Sequence, residues 1–299
     1  MQLFRRFFWF FAVNILVMVT ISIVTSVLGL DRYISAHGIN YQALALYCLI
    51  WGFGGAFISL ALSKVIAKWS MGVKVIDPNN ASGAQRELLQ TVYQFAQKAG
   101  ISKMPEVGVY ESYDINAFAT GPTKNRSLVA VSSGLLQRMN KTEIEGVLAH
   151  EVAHIANGDM VTMTLVQGIV NAFVMFFARI IAFAVSQSVR EENRAMVNML
   201  VVIVCQILLG ILGSIAVSWF SRFREFRADE GGAHLAGSHK MIAALQSLQR
   251  SYGQMESGEA PESIAAFRIS NKGRGLSSLF STHPSLEDRI QRLRAQPGL

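Results

Sequence analysis

The sequence predicts a multi-pass α-helical membrane protein that also carries a polar, α-rich α+β domain. Two observations support this. Hydrophobic residues make up 51% of the 299-residue chain and charged residues only 16%, against roughly 25% charged in a soluble domain. The apolar residues gather in four runs, 7–30, 41–63, 160–189 and 195–220, each reaching the roughly 20 residues that span a bilayer as a helix. The net charge of +7 in so apolar a chain reads as membrane topology, and no nucleic-acid partner is expected. Cys48 and Cys205 both lie inside apolar runs, so neither a disulfide framework nor a Cys-based zinc site is expected.

Taken in order, the first run follows Arg5 and Arg6. It is too long for a signal-peptide core of about 7–15 residues and reads as an uncleaved anchor. With the second run it makes an amino-terminal transmembrane hairpin, residues 1–69. Residues 70–159 have soluble composition. Within them, 82–99 reads as an amphipathic helix with Leu88, Leu89, Val92, Phe95 and Ala96 on one face and Gly100 as its stop. Residues 106–110 and 126–131 read as short strands. Residues 140–155 read as a helix, with Thr142 and Glu145 spaced as a capping box. The third and fourth runs make a second hydrophobic hairpin, 160–220. It contains one charge, Arg179, which is costly in lipid and should face protein or water. Residues 221–299 form a second polar part. There, 222–252 reads as helix, 254–278 as a mobile loop, and 284–295 as a last helix with Pro284 in its first turn.

Orientation follows from flanking charge. If all four runs span, Arg5, Arg6, Lys64, Lys68, Lys74, Arg222, Arg224 and Arg227 share one side, and Arg32, Arg190 and Arg194 share the other. The positive-inside rule then puts both termini in the cytoplasm.

The sharpest chemical signal is His150-Glu151-Val152-Ala153-His154. On a helix, residues i and i+4 differ by about 40° and rise about 6 Å, so both imidazoles can hold one zinc. Glu151 is turned about 100° away and can act as general base toward a water there. Two histidines leave such a site short of a third protein ligand. Glu225 and Asp229, again i and i+4, follow the fourth apolar run. By pattern alone, Glu225 is either that ligand, with Asp229 hydrogen-bonding a ligand imidazole, or part of a solvated helix of paired Glu and Arg. Asp159 is either a carboxylate that supports a zinc ligand or, as its position favours, the N-cap of the third apolar helix. His37, His234 and His239 carry no motif.

These motifs, with Asn116-Ala117-Phe118-Ala119-Thr120-Gly121, Ile155-Ala156-Asn157-Gly158-Asp159, Ser221-Arg222-Phe223-Arg224-Glu225-Phe226, and Thr282-His283-Pro284 followed by Arg289, resemble the HtpX group of membrane zinc peptidases, related to the CAAX prenyl endopeptidases. The likeness covers nearly the whole chain. It implies a zincin-like metalloprotease domain assembled from 70–159 and 221–299. It implies one Zn2+ per chain on His150, His154 and Glu225. It also implies endopeptidase action under stress on membrane proteins, on the cytoplasmic face of a bacterial inner membrane, with unfolded polypeptides as further substrates. Asn116 and Ala117, or residues 128–131, are candidates to pair with the substrate backbone. His283 and Arg289 are candidates to stabilise the oxyanion, with Arg289 alternatively holding a ligand carboxylate. Three other readings stay open: an intramembrane protease, a CAAX-type processing peptidase, and a non-catalytic zinc-binding scaffold. The intact Glu151 argues against the last.

Overall fold

The computed structural model describes residues 15, 18–29, 34–35, 38–256 and 279–296. Arg5, Arg6, Arg32, His37, nearly half of the first apolar run and the bulk of the expected 254–278 loop lie outside them. The chain divides into two compact units. One comprises Met1–Leu60 and Thr162–Val217, the other Ala61–Val161 and Ser218–Leu299. The boundaries fall inside three continuous helices.

The first unit is helical apart from one two-stranded ribbon. A short apolar helix, α1 (Met18–Val27), is followed by β1 (Ile34–Ser35) and β2 (Gly38–Ile39), which pair antiparallel. Among the described residues, three helices are long and apolar enough to cross a membrane: α2 (Tyr41–Met71), α6 (Asp159–Ser186) and the span Glu191–Ala236, whose α-helical part is α7 (Arg194–Ala236). Arg179 of α6 lies against protein: its guanidinium sits 5.1 Å over the Tyr47 ring of α2 and donates to the Met175 carbonyl. A cation on an aromatic face is one way to lower the cost of a charge within an apolar helix.

The second unit is α+β. Its sheet runs in the order β3-β4-β6-β5, with β3 (Lys74–Val75), β4 (Glu106–Tyr110), β5 (Ala117–Thr120) and β6 (Leu128–Ser132). β4 and β6 are parallel; β3 and β5 are antiparallel to their neighbours. β6 is buried along its whole length between β4 and β5. Residues 128–131 therefore have no free backbone edge for a substrate, which corrects one of the two groove expectations. β5 is an edge strand, with β3 at the opposite edge.

Helix α3 (Gly83–Lys98) buries Leu88, Leu89, Val92, Phe95 and Ala96, the face expected from periodicity. Together with Val107, Val129 and Val131 from the sheet, this face packs on Val147, Leu148, Val152 and Ile155 of α5 (Lys141–Asn157). α5 is the central helix of the unit, in contact with α3, β5, β6 and α8 (Ser238–Glu256). Its capping box is Asn140 with Glu143, not Thr142 with Glu145. Asn140 has the extended backbone an N-cap needs, and Glu145, freed from capping, pairs with Lys240 of α8. α4 (Ser133–Arg138) connects β6 to this turn.

The helix expected over 222–252 is two helices. Gly237, at φ +97°, ends α7, and α8 starts at Ser238. Side chains with a Cβ rarely adopt that conformation. α9 (Leu286–Arg294), N-capped by Ser285, places Ile290 and Leu293 against Ala233, Met241 and Leu245.

Candidate metal centre

Four elements of the second unit bring the expected residues together. α5 supplies His150, Glu151 and His154; α7 supplies Glu225 and Asp229; α9 supplies Arg289; the turn before α9 supplies His283. α7 can approach α5 because of Gly231 and Gly232. A Cβ on Gly232 would stand 3.1 Å from the His150 backbone nitrogen and 2.7 Å from Met241 Sδ, and one on Gly231 would stand 2.9 Å from the Ala153 Cβ. Glycine at these positions seats α7 directly on the His150–His154 turn. The Gly231-Gly232 pair is a sequence feature the motif reading did not use.

One face of α7 is buried through Ser218, Ser221, Glu225, Ala228, Asp229 and Gly232. It points Glu225, 1% exposed, at both imidazoles. The Nε2 atoms of His150 and His154 are 3.1 Å apart. Glu225 Oε2 lies 3.5 Å from the first and Oε1 3.5 Å from the second. Ligands about 2.0–2.1 Å from a tetrahedral centre stand about 3.3 Å apart, so this donor set fits one metal ion of the zinc class. Among the described residues these three form the His/Cys/Asp/Glu group whose ligand atoms all lie within 4.8 Å of one another.

The far nitrogens of both rings are engaged by carboxylates, which leaves Nε2 for a metal. His154 Nδ1 is 2.6 Å from Asp159 Oδ2. Asp159 is therefore not simply the helix cap that its position implied. α5 closes at Gly158 and α6 begins at the next residue, so the Asp159 side chain folds back onto the imidazole five residues earlier. An acidic residue just past the glycine that stops the ligand helix is the signal that could have found it. His150 Nδ1 is 3.0 Å from Asp229 Oδ1, off the line of a well-formed hydrogen bond, so the contact is mainly electrostatic.

Arg289 is buried and bidentate. Its Nε and Nη2 donate to the two Asp229 oxygens at 2.7 and 2.6 Å. It holds Asp229, a carboxylate beside the proposed ligands, and its Nη1 lies 3.7 Å from Oε2 of the proposed ligand Glu225. Nη2 is also 3.5 Å from His150 Nε2. His283 Nδ1 is 3.0 Å from Glu225 Oε2, with most of its ring exposed. Asn116 adjoins β6 at the start of the edge strand: its N–H donates to Ser132 Oγ and its carbonyl accepts from the Ser132 N–H. Ala117 opens β5, which packs beside α5. Glu151 is buried next to the ligand pair, in the field of Arg289. His234 and His239 are exposed and take no part.

Electrostatics in the metal-free centre are strongly coupled. Burial opposes charge on His150, but the Asp229 and Glu225 carboxylates prevail and raise its pKa to about 9. Burial likewise opposes charge on Glu225, yet His150 and His283 hold it well below the usual carboxylate range. Asp229 is lowered against burial by Arg289 and His150, and Arg289 is raised by Asp229. A preformed cluster of carboxylates that stabilises positive charge is electrostatically ready for a divalent cation.

A profile for peptidase family M48 matches residues 82–296, the stretch that contains every one of these groups. The chain belongs to peptidase family M48, in its HtpX group. M48 peptidases are metalloproteases. The chain is similar to the "Protease HtpX homolog" of Bacillus licheniformis, 53% identical over 299 residues, covering 98% of this chain and 99% of that one. It is 50% identical to the homolog of Bacillus subtilis, with the same coverage, and 50% identical to that of Bordetella pertussis, covering 97% and 98%. Among solved structures, the crystal structure of S. mikatae Ste24p superposes with a TM-score of 0.61 at 17% identity, covering 97% of this chain and 66% of that one. At that identity the likeness establishes the shared fold of this M48 chain.

Proposed function

We propose that the chain is a zinc endopeptidase. It cleaves misfolded or damaged membrane proteins and unfolded polypeptides, on the cytoplasmic side of a bacterial inner membrane, in membrane-protein quality control under stress. The protease domain is drawn from 70–159 and 221–299, and the hydrophobic hairpins 1–69 and 160–220 hold it at the bilayer. The observation that carries this reading is the donor set of His150 Nε2 and His154 Nε2, 3.1 Å apart, with the Glu225 carboxylate facing both, Oε2 3.5 Å from the first and Oε1 3.5 Å from the second, with Glu151 next in sequence to a ligand and an edge strand beside the ligand helix.

Zinc held by these three residues supplies Lewis acidity toward the scissile carbonyl. The chain supplies the rest. β5 offers unpaired backbone groups for an extended substrate segment. The Glu151 carboxylate takes a proton from the attacking water and later delivers it to the leaving amine nitrogen. Asp159 and Asp229 hold the two imidazoles with Nε2 facing inward, and Arg289 holds Asp229. His283, beside Glu225 and open to solvent, is placed to donate to an oxyanion.

The test is purified protein stripped of metal and reloaded with zinc, assayed on a casein-like unfolded substrate. Cleavage should vanish on stripping and return as occupancy approaches about one zinc per chain. Full occupancy without cleavage would leave the metal site as a scaffold only.

A further inference from the structure

Two arginines touch the metal centre, and they are used differently. Arg289 is enclosed and committed to the carboxylates: its Nε and Nη2 donate to Asp229, its Nη1 lies 3.7 Å from Glu225 Oε2, and its side chain is 7% exposed. Arg224 is less so. Its Nη2 donates to Glu225 Oε1 at 3.1 Å, its side chain is 22% exposed, and its Nε is enclosed without a hydrogen-bond partner among the described residues. A guanidinium carries five donors, and an enclosed donor left unmade is costly.

The two also stand on opposite flanks of α7. About the helix axis, Asp229, Phe226 and Ala233 lie to one side of Glu225. That is the side closed by α9, through Arg289 on Asp229, Arg292 over the Phe226 ring at 4.8 Å, and Ile290 with Leu293 on Ala233. Arg224 lies to the other side with Gly231, the flank that meets Ala153, next to His154. Glu225 Oε1, which Arg224 contacts, is itself 3.5 Å from His154 Nε2. A partly accessible cation with spare donors therefore stands at the metal ligands, on the side α9 leaves free.

We propose that Arg224 is a specificity-determining residue that receives a carboxylate of the substrate chain near the scissile bond, either an acidic side chain or a free C-terminus. This rests on the peptidase reading above and adds a preference to it. The guanidinium fork suits a carboxylate. The neighbouring charges of Glu225, Glu151, Asp159 and Asp229 would repel a substrate carboxylate that lacked such a partner.

The test uses the full-length, zinc-loaded protein and a set of peptides with one position at a time, on either side of the scissile bond, changed between Ala, Lys and Glu. Each peptide is made with a free and with an amidated C-terminus. The parent should cleave Glu over Ala at one position, or free over amidated termini, by roughly tenfold in kcat/KM. Arg224→Gln should abolish that ratio, Arg224→Lys should keep part of it, and Arg227→Gln, on an exposed residue of the same helix, should leave it unchanged. The ratio is taken within one preparation, so loss of folded or metal-loaded protein cancels. Which arm shows the ratio identifies the source of the carboxylate. Casein cleavage with no carboxylate preference in the parent, or an undiminished preference in Arg224→Gln, overturns the proposal and leaves the peptidase reading intact. If Arg224→Gln instead lowers only association with anionic vesicles, the arginine is a membrane anchor and the proposal is wrong. No cleavage of any substrate by the parent would count against the peptidase reading itself.

Discussion

At the scale of residues, the proposed mechanism gives metal binding and proton transfer to different carboxylates. Glu225 faces both imidazoles, whereas Glu151 is turned about 100° from His150 on α5. Glu151→Gln should therefore keep zinc and lose peptide cleavage by about 10²-fold or more, while Glu225→Ala should lower zinc content and activity together. Glu230→Ala, beside Asp229 in sequence but one helical position off the buried face, should do neither. Zinc per chain by plasma spectrometry, read next to casein turnover, distinguishes these variants. Full zinc and activity in Glu225→Ala would move the third ligand elsewhere, with His283 the next candidate.

The His150 imidazolium sets a pH dependence. Its pKa in the metal-free fold is about 9, against 6.5 for the free group. The carboxylates that raise it stabilise the stripped fold fully below pH 6.5, and that contribution is lost as pH rises through 9. Zinc must expel the same proton. Uptake should therefore release a proton and tighten as pH rises toward 9. Titration calorimetry in buffers of different ionisation enthalpy measures the proton count. A count of zero across pH 6.5–8.5 would contradict the coupling.

At the scale of elements, the α5–α7 contact is made by absence of side chain. Gly232→Ala forces a Cβ to within 3.1 Å of the His150 backbone and 2.7 Å of Met241 Sδ. It should cost roughly 1–3 kcal/mol and weaken zinc binding by displacing Glu225 and Asp229. Gly210→Ala, where no atom lies within 4 Å, should be neutral or slightly stabilising. Thermal unfolding in detergent, with and without chelator, compares the pair.

The same contact shows what a sequence can and cannot disclose. Periodicity within one helix is legible, so the buried face of α3 and the His150–His154 spacing were readable from side-chain order alone. Contacts between elements are not. The Gly158-Asp159 order marks a candidate, but only the turn from α5 into α6 brings its carboxylate back onto His154, and nothing local to residues 128–131 says that β5, earlier in the chain, pairs beside them and takes an edge. The cap of α5 was misplaced by two residues because Thr142 and Asn140 both begin an acceptable box. Asn140 carries the extended backbone of the cap, and Glu145 is left to pair with Lys240, nearly a hundred residues away. Gly237 was passed over inside a helical pattern, since one glycine there is tolerated at a cost of about 1 kcal/mol.

At the scale of the whole molecule, three long apolar helices alternate with polar segments whose lysines and arginines gather at one set of helix ends. If these helices span, the positive-inside rule predicts residue 299 in the cytoplasm and residue 36 outside. Reporter fusions at these two points should give opposite signals, and a cytoplasmic signal at residue 36 would reverse the orientation.

Glu225 and Asp229 sit on α7, an unbroken helix whose preceding turns form the apolar span, and Asp159 is the first residue of α6. A helix barely stretches along its axis; it answers hydrophobic mismatch by tilting. From Ser218 to Glu225 is about 10 Å of rise, so a tilt of about 10° pivoting at Ser218 carries the Glu225 carboxylate ~2 Å sideways, more than half of its 3.5 Å distance from either imidazole. If zinc binds as proposed and α7 spans as its length allows, such a tilt would make the thickness of the surrounding lipid a mechanical input to the centre, carried by the lever arm of the chain's own helix.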